Sequence, residues 1–130
     1  MTDDASRNRD PALATRSTAQ VLEDHLRCRQ AGDLDSDLSR NYAGDVVLMS
    51  PRGVRQGHGA VRDYSRMLRA HVPARYEFPV KLTRGPYAFI EWRAREPGRS
   101  VEDGADSFVI RDGRIVFQTI HYTLQETMPA

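Results

Sequence analysis

One acid interrupts an apolar face near the end of this chain. In GADSFVIRDGRIVFQTIHY, residues 104–122, Asp106 alternates with Phe108 and Ile110. A carboxyl group therefore shares a strand face with two side chains that seek a core. Buried there without a cation, its pKa rises, because desolvation disfavours the charged form. Such a carboxyl donates a hydrogen bond to a carbonyl when neutral and takes a proton when ionised. Exposed at a strand end, it is an ordinary solvated charge. His25 is the second candidate. It sits on the helical stripe of Val21, Leu22 and Leu26, as a hydrogen-bonded core residue or as a group that orients a carbonyl.

Other chemistries lack their residues. Cys28 is the one cysteine, so there is no internal disulfide and no cysteine cluster for a metal. The four histidines (25, 58, 71 and 121) have no ligand spacing, and no metal or organic cofactor is expected. His58, between two glycines at a helix start, is an anion-binding candidate or a solvated loop residue. Nineteen basic and eighteen acidic side chains give a net charge of +1 without clustering, which speaks against a nucleic-acid surface. No apolar run reaches the roughly 20 residues of a membrane span. MTDDASRNRDPALATRS lacks a signal-peptide core. A cytoplasmic protein is expected.

These residues need elements to hold them. The 130 residues suffice for one domain, taken as residues 17–126, with 1–16 as a disordered lead-in and 127–130 as a tail. Ser17 with Gln20 three residues on predicts a capped helix that Gly32 ends. Asp33 caps a second helix carrying Leu34, Leu38 and Tyr42. Gly44-Asp45 is read as a turn into the strand VVLMS, closed by Pro51, and PRGVRQGHG as loop. A third helix follows, with Val61, Tyr64, Met67 and Leu68 inward. From Tyr76 the period changes to two, with Pro79 marking an edge or bulge and YAFIEWRA forming the next strand. Helices first and an antiparallel meander last make the class α+β.

Turn geometry decides which side chains meet Asp106, and two readings stand at each turn. A two-residue type I′ loop at Asp112-Gly113 sets Asp106 opposite Thr119 and diagonal to His121. A three-residue loop with a glycine bulge aligns Asp106, Phe108, Val116, Gln118, Ile120 and Tyr122 on one face. Likewise, a two-residue turn at Pro97-Gly98 pairs Phe89 with Asp106 and brings Glu91 and Arg93 to its side. An odd-numbered loop turns Trp92 inward instead, as an apolar wall. Tyr42 and Tyr64 are read as packing.

The order and spacing of AGDLDSDLSRNYAGDVVLMSP, GHGAVRDY and DSFVIRDGRIVFQTIHY resemble the nuclear transport factor 2-like superfamily, in particular its SnoaL-like branch, over roughly residues 18–124. The resemblance implies a curved antiparallel sheet wrapped around N-terminal helices into a cone with an internal pocket. It also implies a homodimer. Family members include polyketide cyclases, ketosteroid isomerases, dehydratases, epoxide hydrolases and a transport factor that only binds proteins, so fold constrains function weakly. Alignment with ketosteroid isomerase puts Asp106 on its oxyanion-hole aspartic acid and His25 on its oxyanion-hole tyrosine. Ser50 stands where the isomerase has its catalytic base. A serine without a partner base does not shuttle protons between carbons near neutral pH, so that route is not expected. The leading expectation is cofactor-free acid/base chemistry of cyclase, isomerase or dehydratase type on an apolar carbonyl compound such as a polyketide. Asp106 carries the proton, His25 orients the carbonyl, and Ser50, Trp92, Glu91, Phe108, Gln118 and Tyr122 contact the ligand. The alternative is a non-catalytic binding or interaction module.

Overall fold

The computed structural model describes residues 11–72 and 75–126. The expectations for residues 1–10 and 127–130 lie outside them. Described structure begins within the supposed lead-in, with helix α1, Pro11–Ala14. Its docking has a local cause. Arg16 donates to the carbonyls of Arg40 (2.7 Å) and Gly113 (2.8 Å) and to Asn41 (2.9 Å), tying the entry segment to two later elements.

Helix α2, Thr18–Ala31, starts at the expected capping box. Ser17 Oγ accepts from the Gln20 backbone N–H at 3.1 Å, and Gln20 Oε1 accepts from the Ser17 N–H at 2.7 Å. Gly32, at φ 73°, ends it in the left-handed conformation that glycine adopts freely. Asp33 then caps helix α3, Leu34–Asn41, accepting from the Ser36 N–H at 3.1 Å. This tight connection packs α2 and α3 against each other over Val21, Leu22, Leu26 and Leu38, all buried. Helix α4, His58–His71, buries Ala60, Val61, Ser65 and Leu68.

Seven strands form one curved, open sheet in the order β2-β1-β6-β5-β4-β3, with β7 paired to β5. They are β1 Tyr42–Ser50, β2 Gly53–Gln56, β3 Tyr76–Arg84, β4 Tyr87–Glu96, β5 Arg99–Arg111, β6 Arg114–His121 and β7 Leu124–Glu126. The class is the expected α+β. Three local readings change. The stretch read as loop holds β2, which forms a hairpin with β1 around Pro51-Arg52. Gly44-Asp45 lies inside β1, where an irregular register between Tyr42 and Val47 replaces a turn. The β1–β6 pair is parallel, so the sheet is mixed.

Both hairpin turns are two-residue turns, yet neither fixes the side-chain faces alone. Arg111 pairs with Arg114, and Asp112 (φ 51°) and Gly113 (φ 72°) are both left-handed, as type I′ requires. Beyond it, Ile110 faces Ile115 but Val109 faces Phe117, so Val116 is an extra residue in β6. The faces are therefore those of the second reading for Gln118, Ile120 and Tyr122, although the turn is that of the first. Ile115, fully buried, takes the core position expected for Val116. In the other hairpin, Glu96 pairs with Arg99 around Pro97-Gly98. Between Ala94–Val101 and Trp92–Gly104, β4 advances two residues and β5 three. The extra residue, within Glu102-Asp103, sets Ile90 rather than Phe89 opposite Asp106 and turns Trp92 inward.

Trp92 lies flat over its cross-strand partner. A Cβ on Gly104 would stand 2.3 Å from the indole ring. Gly104→Ala is therefore expected to displace the only tryptophan and lower stability by about 1–3 kcal/mol, as overpacking does. A lower urea midpoint with a shifted Trp92 emission is the expected result; an unchanged midpoint and spectrum would contradict this packing.

Candidate functional site

Between α2, α4 and the concave sheet face lies a cavity of about 50 Å³, room for a few water molecules. Leu26, Leu48, Leu68 and Ile90 supply much of its apolar wall, and Trp92 and Tyr76 meet edge-on beside it with ring centroids 5.8 Å apart. His25, Asp106, Gln118 and Arg29 bring polar atoms to it. An outer pocket of about 190 Å³ adjoins, sharing Tyr64, Ile120 and Tyr122 with the inner one.

His25 is 3% exposed and lines the cavity, as its helical stripe suggested. Its Nδ1 lies 2.8 Å and 3.0 Å from the two carboxylate oxygens of Asp37, itself 1% exposed. Asn41 Nδ2 also donates to Asp37, at 2.9 Å. A carboxylate accepts, so the His25 proton sits on Nδ1. The ring is steadied by edge contacts with Tyr42 and Phe108, each with centroids 5.5 Å apart. Among the described residues Nε2 has no hydrogen-bond partner, yet no side-chain N or O atom of theirs is both buried and unpartnered. Nε2 therefore opens to the cavity. A histidine so held keeps its second ring nitrogen for proton transfer, with a carboxylate behind the ring to stabilise an imidazolium once formed.

Asp106 is 7% exposed and faces the same cavity. Trp92 Nε1–H donates to Oδ1 at 3.1 Å and Gln118 Nε2–H to Oδ2 at 2.9 Å. The Tyr42 hydroxyl in turn donates to Gln118 Oε1 at 2.5 Å, which fixes the amide orientation. Burial raises the Asp106 pKa; the donors Trp92 and Gln118, then His25 when it is protonated and Arg29, only partly oppose it. Burial likewise raises the Tyr42 phenol well above its usual range. A buried carboxyl that favours its neutral form and a histidine with a free lone pair are an acid and a base on one cavity.

The other expected site residues divide between the cavity and other places. Gln118, Trp92 and Tyr122 line the cavity. Glu91 and Arg93 point to the outer face, where Glu91 is exposed and Arg93 approaches Glu77 at 4.0 Å, so no charged cluster forms with Asp106. The β5 bulge is the cause. Phe108, 2% exposed, packs behind His25 in the core rather than on the cavity surface. Ser50 lines the outer pocket, and its hydroxyl is hydrogen-bonded to that of Tyr64. His121 is exposed on the outer face. His58 is tethered, with Nε2 3.0 Å from the Tyr42 carbonyl. Cys28 is buried, and burial beside Asp37 and Asp24 pushes its thiol up to about 11, which leaves it inert near neutral pH.

Asp37 and Arg29 were not foreseen. Asp37 and Asn41 flank the Leu34–Leu38 stripe of α3 at a spacing of four, a polar pair on an inward face. Arg29 is four residues beyond His25 and shares its helix face. Among the described residues, no group of three or more His, Cys, Asp or Glu side chains is arranged to hold a metal, and no helix is long and apolar enough to cross a membrane.

The SnoaL-like domain family model matches residues 22–118. Similar solved structures include a SnoaL-like protein of unknown function from Burkholderia thailandensis, 25% identical, with 82% of this chain and 94% of that chain covered and a TM-score of 0.65. A protein provisionally described as a polyketide cyclase from Sinorhizobium meliloti is 21% identical over 78% of this chain and 94% of that chain, at a TM-score of 0.66. One provisionally described as a ketosteroid isomerase from Kribbella flavida is 16% identical over 87% and 82%, at 0.67. Likeness at this level establishes the fold. No curated protein matches.

The raised Asp106 pKa fixes a sign for stability against pH. Its folded value lies above the ordinary 3.8, so the fold favours the proton. The contribution is fully present below the unfolded pKa and is lost as pH rises through the folded one. Asp106→Asn, which removes the titrating group, should therefore gain on the wild type through that window and keep a constant difference from it above. Urea midpoints of the two proteins from about pH 3.5 to 8 check this. Parallel curves would mean that the carboxyl is solvated.

Proposed function

Because the chain belongs to the SnoaL-like domain family, we propose that it is an enzyme of general acid/base type acting on an apolar carbonyl compound of polyketide kind, with cyclase, isomerase or dehydratase chemistry. The single observation carrying this reading is that His25, with Asp37 at its Nδ1, and Asp106 line one largely apolar cavity. It reverses the roles expected from sequence. His25, with Asp37 at Nδ1, is the base that removes a proton from a carbon beside the carbonyl. Asp106, whose neutral form burial favours, hydrogen-bonds the carbonyl oxygen as enolate charge develops. The same two groups return the protons to another carbon or to a leaving oxygen, so the enzyme ends unchanged and no cofactor is called for.

Aryl ketones incubated in D₂O with the protein should exchange their α-hydrogens, followed by NMR. His25→Gln should slow exchange by roughly 10²–10⁴-fold, the range of acid/base catalysis, and Asp37→Asn by a comparable factor with the fold retained. Exchange unaffected by His25→Gln would remove the histidine from the chemistry. The engaged Ser50 hydroxyl favours a second reading, a binding module: thermal shifts with the same ketones but no exchange would select it.

The working unit we propose is a homodimer joined through the outer sheet face. Val54, Met49, Phe89 and Leu82 lie in one cross-strand row there, interrupted by Thr119 and Ser107, with Val47, Phe117, Val109 and Tyr87 in the next. Val54, Leu82 and Tyr87 are 60% or more exposed, an apolar patch of the kind that marks an interface. Light scattering at micromolar concentration should give the dimer mass, and Val54→Lys with Met49→Lys should lower it to the monomer. A monomeric wild type would contradict the assembly.

A further inference from the structure

The chemistry so far leaves one charged group on the cavity wall unused. Arg29 lines the cavity from the last turn of α2, one turn beyond His25 on the same helix face, about 6 Å along the axis. It is half-buried and held in place. Nη1 donates to the Ser65 hydroxyl at 2.6 Å, and the guanidinium stands over the Tyr76 ring, 5.8 Å from its centroid. Ser65 is itself 6% exposed, so this contact is not a solvent-facing one. Other arginines of α2 and α3 have carboxylate partners: Arg27 and Arg40 both pair with Asp24. Arg29 has no carboxylate within ion-pair distance among the described residues.

An arginine oriented by a serine and an aromatic face has four further N–H donors in a fixed plane. Partial burial without a counter-ion is unfavourable, and an anionic occupant removes that cost. We propose that the ligand of this cavity carries a carboxylate, held by Arg29, with its carbonyl about one helical turn deeper at His25 and Asp106. The substrate class is then an oxo acid rather than a neutral ketone. The inference deepens the functional reading and rests on its cavity being a ligand site, but not on turnover.

Binding of 3-benzoylpropionate and of its neutral amide, followed through Trp92 emission, tests it. The wild type should prefer the acid by roughly 10-fold or more, the scale of a charge-assisted hydrogen bond. Arg29→Met should abolish the preference, and Arg29→Lys should keep part of it. Circular dichroism and urea midpoints show whether each variant is folded, and the wild-type comparison needs no variant. Equal affinity for acid and amide, absence of acid binding, or a preference that survives Arg29→Met in a folded protein would each overturn the proposal. Acid preference without α-hydrogen exchange would support it while removing the proposed catalysis.

Discussion

Two extra residues in the sheet decide what this protein can do. Side chains alternate along a strand, so one inserted residue exchanges the two faces beyond it. The insertion within Glu102-Asp103 turns Trp92 inward and Glu91 outward. The insertion at Val116 puts Gln118, Ile120 and Tyr122 on the inner face beside Asp106, although the type I′ turn alone would have sent them out. Without either one, Asp106 would lose a donor to its carboxyl: Trp92 in the first case, Gln118 in the second. The acid is tolerable in the core because both bulges bring it partners, and Gly104 makes room for the indole that one of them delivers.

The helices answer this with a polar pair of their own. A buried histidine and a buried aspartate each carry a desolvation cost; each is met by the other, and the aspartate also by Asn41. The short Gly32-Asp33 connection sets α3 beside α2 so that residues 25 and 37 touch. Tyr42, at the start of β1, joins the two halves. Its ring packs edge-on against His25 while its hydroxyl fixes the Gln118 amide, which in turn donates to Asp106. Helix and sheet sites are thus one connected set of contacts around one cavity.

Much of the framework is written locally and could be read directly. The Ser17–Gln20 capping box, the Gly32 and Asp33 caps and the Asp112-Gly113 turn depend on residues within a few positions of one another. The burial of Asp106 and His25 was legible because each sits among apolar neighbours on a periodic face. What was not legible depends on long-range register. No local signal marks Val116 or Glu102-Asp103 as extra residues, so Glu91 and Arg93 were as plausible inside as Trp92. Phe108 faces inward as expected, but only tertiary packing shows that His25 stands between it and the cavity. Asp37 carried a signal, its place beside the Leu34–Leu38 stripe. Its partner, however, is on another helix, and the meeting of the two is a property of the fold.

His25, with Nδ1 on the Asp37 carboxylate, shares its cavity with Asp106, a carboxyl whose pKa burial raises. Nitrogen-15 NMR of the His25 ring reads this most directly. At a pH where the imidazole is neutral, a single Nδ1–H tautomer locked against Asp37 is expected, with Nε2 showing the shift of a lone-pair nitrogen. An Nε2–H tautomer, or the averaged shifts of a ring exchanging with solvent, would contradict it.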